Sequence, residues 1–130
     1  MLTVKTIVET IYEKWAEAVS EYVGDSYGMK NSGTISNFPY ASCIFKGLPG
    51  VNWDLKGNCG AVRPTIQIDI FTTGQKDISQ AYLIDEVSDK ALESMGFRRY
   101  SGPEPTPNID PSVSRFKSEY ERVIGFGDSL

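Results

Sequence analysis

Residues 64–71 read Pro-Thr-Ile-Gln-Ile-Asp-Ile-Phe, and no other stretch restricts the fold as tightly. Ile66, Ile68 and Ile70 alternate with Gln67, Asp69 and Phe71. Successive side chains of an extended chain point to opposite faces, so this is a half-buried strand with its isoleucines inward. Whatever lies around it must supply strand partners and an apolar cover. A strand candidate at Phe38–Phe45 precedes it, and a helix pattern at Asp77–Met95 follows. A short Phe97-Arg98-Arg99-Tyr100 segment, a Pro-rich turn and a last strand over Ser112–Ile124 complete the order.

The cover is written into both helices. From about Thr3 to Val23, Val4, Val8, Ile11, Trp15, Ala18 and Tyr22 step by three or four, and Ile7 and Val19 widen the stripe. Lys5, Glu9, Glu13, Glu17 and Glu21 occupy the opposite side, the pattern of a helix laid on a core. Such a helix is roughly 30 Å long, enough to cross a small sheet, and Gly24 is placed to end it. In the second helix Asp77 is expected as N-cap, with Gln80 three residues on as in a capping box. Its stripe is Ala81, Ile84, Val87, Ala91 and Met95, flanked by Leu83 and Leu92, with Gly96 as the stop.

The resulting expectation is a single α+β domain over residues 1–130 in the order α-β-β-α-β-β. A mixed or antiparallel sheet of about four strands is packed by two helices. Residues 24–37 and 46–63 read as long loops, the second alternatively as a twisted hairpin extension, because glycines and polar residues interrupt any period there. Pro39 belongs at a strand start or edge. Pro103, Pro105, Pro107 and Pro111 make a stiff turn, and residues 125–130 are expected to fray.

Chemistry is constrained by what the chain contains. With no histidine among 130 residues, serine and cysteine nucleophiles lack their usual base, and His-ligated zinc is excluded. Neither a P-loop nor a G-x-G-x-x-G run is present. A carboxylate-only site is left open among Asp54, Asp69, Asp77 and Asp85. Asp69, on the face away from the isoleucines, reads first as a solvated or interface carboxylate. Arg98 and Arg99 read as helix C-terminal cations or rim contacts. Trp53, with Leu48 and Val51, either folds back on the core or anchors a partner. Cys43 and Cys59 make neither a disulfide framework nor a zinc site; Cys43 reads as a small buried hydrophobe. A net charge of -4 disfavours nonspecific binding to DNA or anionic membrane. The start Met-Leu-Thr-Val-Lys has no signal-peptide pattern, and no apolar run reaches the length of a membrane span. A reducing cytosol is the expected compartment.

The series as a whole resembles the tail-terminator, or tail-completion, proteins of long-tailed bacteriophages and prophages. The likeness is carried by the amphipathic first helix, Phe38-Pro39-Tyr40-Ala41 opening a strand, and Thr65–Phe71 as central strand. It continues through Leu92-Glu93-Ser94-Met95-Gly96-Phe97, the Pro-rich turn Pro103–Pro111, and Ser114-Arg115-Phe116 running to Ile124. The resemblance implies a sheet flanked by helices and a non-enzymatic structural protein without metal or cofactor. Its subunits form a ring, usually hexameric, on the last ring of the tail tube, stopping tube polymerisation and offering a surface to the head connector. The implied partners are other copies of the chain, the tail tube protein and a head-completion protein, with DNA passing through the lumen without specific binding. Assembly is then expected in the host cytoplasm, with the product at the head–tail junction. Residues expected at such contacts are Pro39, Leu48, Val51, Trp53, Asp54, Lys56, Arg63, Asp69, Arg98 and Arg99. The alternatives are another head–tail connector, of head-closure or adaptor type, and a monomeric binding module unrelated to virions.

Overall fold

In the computed structural model, which describes residues 2–31, 35, 37–53 and 59–130, the first helix α1 spans Val4–Val23. Thr3 caps it, its Oγ1 accepting from the Thr6 amide at 3.1 Å. Gly24 ends it at φ 62°, a left-handed value that glycine adopts without strain. The buried set is Ile7, Ile11, Trp15, Ala16, Val19 and Val23. This corrects the expected stripe, whose outer members Val4 and Tyr22 are 45% and 41% exposed. A run of steps of four drifts around the helix. It does so here because α1 packs against α2 (Asp77–Ser94) as well as against the sheet.

Among the described residues the strands are β1 (Tyr27–Gly28), β2 (Tyr40–Gly47), β3 (Gly50–Trp53), β4 (Cys59–Val62), β5 (Thr65–Thr72), β6 (Arg98–Thr106), β7 (Ser114–Glu121) and β8 (Ile124–Gly125). The large sheet has the order β1-β2-β5-β7-β6, antiparallel except for the short parallel pair β1–β2. A small sheet, β3-β4-β8, stands beside it. The four long strands β2, β5, β6 and β7 are the four expected. The additions come from the two segments read as loops: β1 arises within 24–37, and β3 and β4 make 46–63 the hairpin that was the alternative reading.

Ile66, Ile68 and Ile70 are at most 1% exposed, under the helices, as the alternation requires. Their cross-strand partners are Phe45, Cys43 and Ala41 on β2 and Tyr120, Ser118 and Phe116 on β7. Cys43 is fully buried there, and burial raises the pKa of its thiol far above the usual range. The last strand expected to run to Ile124 ends at Glu121, and β8 crosses to the small sheet to pair with β4.

Three further expectations are corrected. Pro103 and Pro105 lie within β6, not in a turn. They are tolerated because β6 is a sheet edge, where a missing N–H faces no neighbour. Asp77 is the first residue of α2 and not its cap. Lys76 holds the cap position without a side-chain bond, while Asp77 Oδ2 accepts from Ser114 Oγ and Oδ1 from the Ile78 amide. The tail is tied down: the Leu2 amide donates to the Phe126 carbonyl, Phe126 and Leu130 pack on the core, and Lys14 Nζ donates to the Leu130 carbonyl at 2.6 Å.

Candidate interaction surfaces

α2 does not carry the purely apolar stripe expected of it. Its buried residues are Ala81, Ile84, Asp85, Ser88 and Leu92, and Leu83 is 45% exposed. Asp85 and Ser88 are buried because each is matched. Trp15 Nε1 donates to Ser88 Oγ at 2.8 Å, which pins α1 to α2. Ser118 Oγ donates to Asp85 Oδ1 at 3.0 Å, and Arg99 Nη2 reaches both Asp85 Oδ2 and Asp89 Oδ1 at 3.0 Å. Tyr120 hydroxyl donates to Asp89 Oδ1 and accepts from Arg99 Nε, each at 3.0 Å. Arg99 is therefore a clamp between sheet and helix. Its expected role as a rim contact is corrected; the arginine stacks on Tyr120, 5.3 Å from the ring centre.

Burial raises the Asp85 pKa above its ordinary 3.8, outweighing the opposing pull of Arg99 and Ser118. The folded state therefore holds this proton more tightly than the unfolded chain does. Asp85 contributes stability that is fully present below about 3.8 and lost as pH rises through its higher folded value. In urea titrations across acid pH, the wild type is expected to gain stability relative to Asp85→Asn as pH falls through that window. A gain on raising pH instead shows that the Arg99 pair, and not burial, governs Asp85.

On the other face of the large sheet Asp69 is fully buried, which corrects its reading as a solvated carboxylate. Its Oδ2 accepts from Asn31 Nδ2 at 2.9 Å and Gln67 Nε2 at 2.8 Å, and its Oδ1 from Arg115 Nε at 3.3 Å. Ser42 Oγ donates to Asn31 Oδ1, so the segment before residue 32 is stitched to β2 and β5. Arg115 lies over the Phe71 ring, 5.4 Å from its centre. Beside this cluster opens a cleft of about 470 Å³, walled by Asn31, Phe38, Phe71, Ile109, Val113 and Arg115. Ile109, at the tip of the β6–β7 connection, is fully exposed.

A second concavity, of about 240 Å³, lies at the end of the sheet where β5 begins and β7 ends. Arg63, Gly96, Arg98, Glu121, Arg122 and Val123 line it. Arg122 is fixed: Nη1 donates to the Met95 carbonyl, Nη2 lies 3.9 Å from Asp128, and the side chain lies over Gly96. Gly96 has φ 83°, and a Cβ there would stand 3.1 Å from Arg122 Nε.

The expected contact residues thus divide. Arg63 and Arg98 come together at the second concavity, both exposed. Asp69 belongs to the middle of β5, on the Asn31–Arg115 cluster, and Arg99 to the clamp. Pro39 is half-buried just before β2, Leu48 packs on the core, and Val51 is half-buried in β3. Trp53 closes β3; Asp54 and Lys56 lie outside the described residues. Missing from the expected set were Arg115, Arg122 and Asn31, which carry no motif in the sequence. Among the described residues no group of three or more Cys, Asp or Glu side chains could hold a metal ion, and no helix is long and apolar enough to cross a membrane. No protein-family model matches the chain, and no curated protein matches it.

Proposed function

We propose that this chain is the structural subunit of a ring that caps a phage tail tube, stops tube polymerisation and presents a surface for joining to the head. One observation carries the reading beyond the resemblance of sequence. Both helices pack on the same face of the large sheet, and no described helix covers the other. That helix-free face holds its charges in ordered pairs. Asp69–Arg115 and Lys117 between Glu104 and Glu119 are examples, and the Phe38–Phe71–Val113 cleft opens at one end of it. A rigid, patterned surface of this kind suits protein contact. The outer edge of β2 adds to it, since β1 pairs only with Ala41 and Ser42 and leaves the strand from Cys43 to Gly47 without a described neighbour on that side. An unpaired edge is a template for a strand from another subunit.

Light scattering after size exclusion, over a range of concentrations and with negative-stain images, tests the reading. The expected species is a closed ring with a central hole, its mass a whole multiple of 14.4 kDa. A strict monomer that also fails to bind purified tail tubes overturns it.

A further inference from the structure

Two charged surfaces whose exposed members have no ion-pair partner among the described residues are complementary to each other. On α1, Glu13, Glu17 and Glu21 are exposed and spaced four apart, a single ridge on the side of the helix away from Ile7, Ile11, Trp15, Val19 and Val23. Glu9, next on the ridge, is paired with Lys5 at 3.6 Å. The other three carboxylates have no ion-pair or hydrogen-bond partner among the described residues. Like charges at this spacing repel, and Glu21 stands in the last turn, where the helix dipole disfavours an anion and no basic residue compensates. Among the described residues no ion pair offsets either effect.

The arginine concavity is the counterpart. Arg63 and Arg98 have no acidic partner among the described residues. Arg63, Arg98 and Arg122 line the concavity with Glu121, and of the three only Arg122 reaches a carboxylate, Asp128 at 3.9 Å, which leaves an excess of positive charge in a chain whose net charge is -4. Guanidinium forks hold carboxylates with two parallel bonds, the geometry that a glutamate ridge can meet.

The fold keeps the two apart. α1 lies over β1 and β2 and ends beside the end of β5, because Val23 leads into β1, whose register partners Ala41 and Ser42 stand opposite Ile70 and Asp69. Arg98 is on β6, the far edge strand, and Arg63 precedes the start of β5. The ridge does not line the concavity, and no ion pair joins the two surfaces among the described residues. A contact between them in two molecules is head-to-tail, the class of interface that closes into rings.

We propose that the arginine concavity, through Arg63 and Arg98 with Arg122 behind them, receives the Glu13–Glu17–Glu21 ridge of a second copy of this chain. The proposal rests on the ring reading above and specifies its subunit interface. Two variants test it, Arg63→Glu/Arg98→Glu and Glu13→Lys/Glu17→Lys/Glu21→Lys. All the altered side chains are exposed, and thermal melts confirm that each variant folds. Each alone is expected to associate about tenfold or more weakly than wild type. Mixed one to one, the acidic concavity of the first meets the basic ridge of the second and the reverse, so the mixture recovers the wild-type mass. Variants that assemble as wild type does, or a mixture that stays dissociated while wild type assembles, overturn this interface and leave the ring standing. A wild type that is monomeric alone and on tail tubes overturns the ring and the interface together.

Discussion

Ile68→Asp is expected to leave the chain without a cooperative folding transition. Ile68 is 1% exposed at the middle of β5, between Cys43 and Ser118 in register and under both helices. Losing a buried isoleucine side chain removes about 2–5 kcal/mol. An unpaired carboxylate in its place adds several more, or forces the group to bind a proton. The nearest polar neighbour, Ser118, is already committed to Asp85 at 3.0 Å. Against a total stability of about 5–15 kcal/mol for a domain of this size, the sum exceeds what the fold can absorb. Circular dichroism on heating reads the outcome; a melt close to wild type shows that β5 is not the centre of the core.

Gly102→Ala is the second large effect, and it arises from backbone alone. Gly102 sits in β6 at φ 89°, and a Cβ there would lie 2.3 Å from the Lys117 carbonyl oxygen and 2.7 Å from the Ser118 Cα. Neither atom belongs to a flexible side-chain end, so β6 must move off β7. The left-handed conformation costs an alanine about 1–2 kcal/mol before any clash is counted. Displacing β6 also pulls Arg99 away from Asp85 and Asp89, and breaking a buried pair costs about 3–5 kcal/mol. The expected result is a loss of several kcal/mol in chemical denaturation. A change below about 1 kcal/mol shows that β6 can slide without cost.

The main architecture was legible where period and element coincide. Alternating isoleucines fixed the facing of β5, and the apolar spacing with Thr3 and Gly24 bounded α1 to within a residue. The facing of α1 was less legible. Val4 and Tyr22 fit the period as well as Ile7 and Val23 do, and only the position of α2 decides between them. On α2, Asp85 and Ser88 interrupt the apolar stripe. Their burial depends on Arg99, Ser118 and Trp15, which come from three distant segments, so no local pattern announces it. Asp69 was misread for the same reason: Asn31 and Arg115 close over it from elsewhere in the chain. Prolines 103 and 105 signalled a turn, yet an edge strand accommodates them.

Of the candidate contact residues, Arg63 and Arg98 were named without any sign that they belong together. They meet because β5 and β6 flank β7 on either side, a pairing that spacing in the sequence does not encode. Arg122 needed Gly96 and the Met95 carbonyl to hold it, and neither relation is visible before the chain folds.

The burial of Cys43 gives the molecule a built-in clock. The thiolate is the form that alkylating reagents attack, and in β2 this thiol is sealed from solvent and kept protonated. With Cys59→Ser in the background, every modification event records an excursion in which β2 has parted from its surroundings. Rates of capture convert directly into the free energy of that opening. One reagent can then time how firmly the rest of the fold clamps the sheet.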